Sequence, residues 1–167
     1  MTSQTWVWAT MNNKTTPKSD NERALRSALN ILAYAECTES TLRQKLLDKG
    51  YDSESVEFAT AYVIKHRYLD EKRYLFRLVE YTGNVSLYGK RRILMQLRYK
   101  GFQRDIIDCY FEQAMEHVNE DENCQKALSR MRNKSDKQAA DALARRGFSF
   151  DVIKRVLRAA KEEEDQY

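Results

Sequence analysis

The chain has 167 residues, of which 42% are hydrophobic and 32% charged, with a mean hydropathy of −0.76. That is enough for one domain or a few small modules with a core under a heavily solvated surface. A net charge of +4 excludes a strongly basic nucleic-acid coat protein, and no apolar run approaches the roughly 18 residues of a membrane span.

The expected location is a reducing cytoplasm. Cys37, Cys109 and Cys124 are an odd set with no C-x-x-C, which reads as free thiols. TWVWATM near the start is too short for a signal-peptide core and has no basic residue before it.

In chain order, residues 1–19 are rich in Thr, Ser and Asn, hold the sole proline, Pro17, and read as a flexible tail carrying Trp6 and Trp8. Beyond them apolar residues recur at helical spacing (Leu25, Leu29, Leu32; Ile93, Leu97) with no proline, which predicts short helices joined by tight turns. Asp70 before EKRYLFRLVEY, Asn119 with Glu122, and Ser135 with Gln138 are expected helix caps.

Three of the five glycines sit in one recurring phrase: LLDKGYDSESV, LRYKGFQRDII and LARRGFSFDVI. Aligned on Gly50, Gly101 and Gly147, the phrase has Leu46, Leu97 or Leu143 four residues earlier. A cation (Lys49, Lys100, Arg146) stands just before the glycine, an aromatic (Tyr51, Phe102, Phe148) just after, and Val56, Ile107 or Ile153 six residues on. Agreement at five positions marks an internal repeat. The glycine ends a helix in the left-handed conformation, the aromatic folds back over the turn, and the leucine and aliphatic meet across it. The cation suits the end of the helix dipole, so that role alone explains it.

A further helix precedes each phrase, at Glu22–Cys37, Glu71–Tyr81 and about Asp121–Arg132. The expected fold is all-α: three tandem three-helix repeats over 20–67, 68–118 and 119–167, about nine helices in an elongated curved array. Such an array offers a long face and no enclosed pocket.

Catalytic, cofactor and metal sites are not expected. His66 and His117 belong to no H-x-x-x-H or H-E-x-x-H pattern, and no Gly-rich nucleotide loop exists. Charge, however, is uneven. Ser86–Arg104 holds six Lys/Arg and no Asp/Glu, whereas Glu112–Gln125 holds five Asp/Glu and no Lys/Arg.

With Ile93 and Leu97 turned inward, a helical wheel at about 100° per residue puts Arg91, Arg92, Arg98 and Tyr99 outward, with Met95 among them. Lys90, Lys100 and Arg104 extend that run, and Lys137 and Arg145, with the acidic Asp141 between them, occupy the matching side of the third repeat. A solvated basic face and a contact face for phosphates or an acidic partner both account for this pattern. These nine residues are the candidate contact set. No base-reading motif accompanies them.

Order and spacing of several phrases resemble the RecX family of bacterial recombinase regulators, over about Arg23 to Ala159. They are Tyr68-Leu69-Asp70-Glu71, then Gly89, Ile93, Leu97, Lys100 and Gly101, then Arg145-Arg146-Gly147-Phe148. The chain departs from the family at Gln96, often Glu, and at Leu75 and Phe76, where a small alanine is usual.

The resemblance implies tandem three-helix modules and a monomeric, non-enzymatic regulator of recombination and repair. Such a regulator binds the RecA recombinase filament on single-stranded DNA, with weak non-specific DNA contact, and limits its ATPase, growth and strand exchange. A helix-turn-helix DNA-binding protein and a helical scaffold for another protein are the alternatives.

Overall fold

A computed structural model describes residues 20–131 and 135–164; the expected tail with Trp6, Trp8 and Pro17 lies outside the described residues. Nine α-helices are described: α1 Asp20–Tyr34, α2 Glu39–Asp48, α3 Ser53–Lys65, α4 Glu71–Glu80, α5 Lys90–Tyr99, α6 Arg104–Met115, α7 Glu120–Ser129, α8 Asp136–Arg145 and α9 Phe150–Glu164. A π-helical turn, Tyr81–Val85, prolongs α4. Among the described residues there is no strand.

Two helix ends differ from expectation. α1 stops at Tyr34 rather than Cys37, because Thr38 must be extended to cap α2. α7 stops at Ser129 rather than Arg132.

Buried side chains fall in three clusters. The first joins Ala24, Ala28, Leu42, Leu46, Val56, Ala59 and Val63; the second, Leu75, Val79, Ile93, Leu97, Phe102, Ile107 and Phe111; the third, Cys124, Ala127, Leu143, Phe148, Val152, Ile153 and Val156. Each is built around one copy of the recurring phrase. Gly50, Gly101 and Gly147 have φ of 86°, 85° and 91°, as the left-handed turn requires. The leucines before them are fully buried, and Phe102 and Phe148 close over their turns. Tyr51 is only partly buried, and its hydroxyl donates to the Arg23 carbonyl.

The seams between units repeat one design that the phrase did not disclose. Glu71 opens α4 and accepts a hydrogen bond from the Glu39 amide at the start of α2, 2.7 Å away. Glu120 opens α7 and accepts from the Lys90 amide at the start of α5, also at 2.7 Å. Each unit thus caps the second helix of the unit before it, satisfying an amide that the helix itself cannot. The glycine turn of each of the last two units seats on the same helix start. A Cβ on Gly101 would lie 2.9 Å from Thr41 Oγ1, and one on Gly147 would lie 2.4 Å from the Arg92 amide nitrogen.

In the last unit Ser135 and Gln138 form a full capping box on α8. In the first, a Cβ on Gly50 would meet nothing within 4 Å.

Two residues anchor the connections. Leu69 buries in the first cluster, and Leu87, at φ 54°, buries in the third. Thr82 turns its hydroxyl back to the Leu78 carbonyl at 2.6 Å, a bond that loosens a helix where the π turn begins. Asn84 then donates to the His117 carbonyl and accepts from buried Asn123, tying the π turn to α6 and α7.

Candidate partner-contact face

α5 is the middle helix of the molecule and meets a neighbouring unit at each end. Gly89 is its N-cap and contributes no side-chain bond, so Glu120 supplies the cap from outside. Backbone packs on backbone here: a Cβ on Gly89 would lie 2.3 Å from the Phe148 amide nitrogen. The Gly89 amide donates to Arg146 O and the Arg91 amide to Gly147 O. At the other end the Lys100 carbonyl accepts from the Thr38 and Thr41 hydroxyls, and the Gly101 carbonyl from Ser40.

Ile93 and Leu97 are fully buried, as the wheel expects. Four residues make the outer surface: Arg91, Met95 at 67% exposure, Arg98, and Tyr99 at 84%. Neither arginine has an ion-pair partner among the described residues. Lys100 is exposed beside Tyr99. Arg98 and Arg104 rim a shallow depression floored by Phe102 and Ile107, although Arg104 also pairs with Asp108 at 3.4 Å.

Arg92 corrects the wheel. It is half-buried, lies 4.6 Å over the Tyr88 ring, and donates through Nη1 to the Arg145 carbonyl, while its Nε is buried without a partner among the described residues. The wheel gives one buried stripe per helix, whereas α5 has a second covered side, against the α8–α9 turn. Arg92 therefore belongs to the seam.

Lys90 is also engaged, pairing with Glu112 Oε2 at 2.7 Å and lying 5.7 Å from the Phe111 ring. One carboxylate of the acidic stretch thus neutralises one end of the basic run. Arg145 is exposed and lies next to the start of α5, since its carbonyl holds Arg92. Lys137 is exposed eight residues back along α8, about 12 Å away, and is not brought to this face. Arg146, expected only as a helix-end cation, donates to the Ser86 carbonyl across the seam.

Elsewhere the ionisable groups serve structure. Burial pushes the Cys124 thiol up to about 12 and raises Cys37, so both stay protonated. Cys109 is free and exposed. Burial also raises the Glu71 carboxyl, assisted by the neighbouring charges of Glu39 and Asp105, while its hydrogen bond from the Glu39 amide opposes the shift. Among the described residues no three His, Cys, Asp or Glu side chains gather as metal ligands, and no helix is long and apolar enough to cross a membrane.

Three three-helix units in a row, with a cationic and aromatic face exposed on α5, define an all-α helical array. Comparison with known proteins makes this specific. Residues 24–62 match the family described as RecX, first three-helix domain. The Regulatory protein RecX of Thermotoga petrophila is 30% identical over 154 residues, covering 91% of this chain and 93% of that protein. That of Ectopseudomonas mendocina is 32% identical over 154 residues, covering 86% and 99%.

A crystal structure of RecX from Lactobacillus salivarius superimposes with a TM-score of 0.74 at 21% identity, over 84% of this chain and 96% of that one. The chain belongs to the RecX family of regulatory proteins.

Proposed function

We propose that this chain is a non-enzymatic regulator that docks on the filament of the RecA recombinase on single-stranded DNA, limiting its ATPase, growth and strand exchange. The observation that carries this reading is family membership over nine-tenths of the chain, with relatives named as regulatory proteins. The face of α5 supports the mode of contact. Arg91 and Arg98 offer guanidinium groups without acidic partners among the described residues, and Tyr99 and Met95 add apolar area between them. Guanidinium groups beside an exposed ring suit phosphates or an acidic protein strip.

Docked along a filament, a row of three units would touch more than one recombinase protomer, so modest single contacts would sum through avidity. Lys100, Arg104 and Arg145 border the contact. Arg92 holds the last two units together beneath it, and Lys90 pairs with Glu112 inside the middle unit.

The test is a titration of the protein into a DNA-dependent ATPase assay with the RecA recombinase. We expect inhibition near stoichiometric amounts, and an unchanged ATPase rate and filament length would refute the reading. The variant Arg91→Glu/Arg98→Glu/Tyr99→Ala, with Arg92 kept, is expected to inhibit at least about tenfold less well, in keeping with hot-spot arginines and tyrosines. Its helicity should be unchanged, because none of the three contributes to a core. Undiminished inhibition by that variant would leave the α5 face as solvent surface.

A further inference from the structure

The three units treat one groove differently, the groove between the second and third helix of each. Aligned on the glycines, the wall residue on the second helix is Arg43, Leu94 or Ala140. Seven and eleven residues after the glycine, the third helix presents Glu57 and Ala61, Asp108 and Glu112, or Lys154 and Arg158.

In the first unit the groove is bridged, because Arg43 pairs with Glu39 on its own helix and with Glu57 on α3. In the second, Leu94 packs against the core and Lys90 reaches Glu112 on α6. In the third, Ala140 is too short to cover the groove, and a lysine and an arginine stand where the acids were. A groove of about 360 Å³ stays open between α8 and α9, with Ala140, Phe150, Ile153 and Leu157 as its apolar lining. Phe150 is 77% exposed and belongs to no described hydrophobic cluster.

The rim is cationic. Residues 154–161, KRVLRAAK, hold four cations and no acid. Arg155 is taken by Asp121 on α7, which leaves Lys154, Arg158 and Lys161 along the groove, all exposed. Lys154 has no ion-pair partner among the described residues. Arg158 pairs with Glu162 and Lys161 with Asp136, each on the surface. Exposed pairs of this kind are worth little, so an incoming carboxylate can replace either acid.

We propose that the α8–α9 groove is a docking site for an acidic peptide segment of a partner protein. A bulky apolar side chain of that segment sits against Phe150 and Leu157, and its carboxylates meet Lys154, Arg158 and Lys161. Charge complementarity selects this occupant. An apolar peptide without acids would gain nothing from the three cations, and a phosphate chain would leave the apolar lining unused. An exposed ring at the mouth of a groove is the kind of residue that anchors such a contact. The site is separate from the α5 face and rests on nothing assigned to that face.

The experiment is fluorescence anisotropy of the full chain with a labelled peptide, Asp-Glu-Asp-Leu-Phe-Glu-Asp-Glu. Companion peptides carry every pairing of Leu, Ile, Phe and Trp at the two apolar positions. Saturable binding that weakens as salt rises is expected. Alanine at both apolar positions of the peptide is expected to weaken it about tenfold or more. Phe150→Ala should do the same with an unchanged melting temperature, because that ring supports no core. Ala140→Leu gives the third unit the wall of the second, and Lys154→Glu/Arg158→Glu puts acids back at both positions. Each is expected to abolish binding.

Failure of every peptide to bind would overturn the proposal, as would binding that survives Phe150→Ala and the charge reversal. Equal binding of the alanine peptide would reduce the contact to charge alone and refute the groove. Displacement of the peptide by an oligothymidylate of equal charge would overturn it in favour of phosphates. Self-association that Ala140→Leu abolishes would give the groove to a second copy instead. Should a variant misfold, amide NMR spectra of the wild type decide the matter. Shifts on adding peptide are expected along α8 and α9, and shifts centred on α5 would refute the site.

Discussion

Gly50 and Gly147 share a backbone conformation and differ in everything around them. Both are left-handed, so an added Cβ strains either one by about 1–2 kcal/mol. At Gly50 that strain is the whole cost, because the space beside it is open. At Gly101 the added carbon meets the Thr41, Thr38 and Ser40 side chains, which can move. At Gly147 it meets the backbone of Arg92, which cannot.

The Gly→Ala series should therefore destabilise in the order 50, 101, 147, with the last costing about 3 kcal/mol or more by urea denaturation. Equal losses at all three would mean that the seams are not close-packed. The same logic divides the arginines of α5. Arg92→Ala removes a charged hydrogen bond to the Arg145 carbonyl and is expected to cost about 2 kcal/mol. Arg91→Ala, on the exposed side, should stay within about 0.5 kcal/mol.

Among elements, the seam cap is where stability meets pH. Burial raises the Glu71 carboxyl above its ordinary value, so the folded state favours its protonated form. The sign follows by linkage. This group's contribution is fully present below the ordinary carboxylate pKa and is lost as pH rises through the raised value. Asp52, held low by the Ser55 amide, and Glu57, held low by Arg43, act in the opposite sense, losing stability on acidification.

Glu71→Gln isolates the first effect, because the amide oxygen still accepts from the Glu39 amide. The melting temperature of the wild type minus that of Glu71→Gln should fall as pH rises through that window and be flat outside it. A difference independent of pH would show that Glu71 does not carry the titration. Glu120, the equivalent cap at the next seam, meets the amide of a lysine rather than a glutamate.

For the whole molecule, the two seams are alike in plan and unlike in substance. Between the first and second units the contact is made by hydroxyl side chains, Thr38, Ser40 and Thr41, on carbonyls of the Lys100–Gly101 turn. Between the second and third it is backbone on backbone at Gly89 and Gly147, with Leu87 inserted into the third core and Arg146 bonded across. The last two units thus form one closely packed body, with the α5 face on it.

The linear pattern by itself determined the three glycine turns, the leucines and aromatics that close them, and the caps at Asp70 and Ser135. All of these depend on neighbours within a few residues, and periodicity and spacing carry that information. The same pattern assigned Ile93 and Leu97 to the core.

The sequence did not reveal the fate of Arg92, the caps from Glu71 and Glu120, or the pairing of Lys90 with Glu112. Nor did it reveal why Gly89 must be a glycine. Each of those depends on groups 20 or more residues away. A helical wheel carries no record of a second neighbour, so only the tertiary structure could separate Arg92, which holds two units together, from Arg91 and Arg98, which face outward.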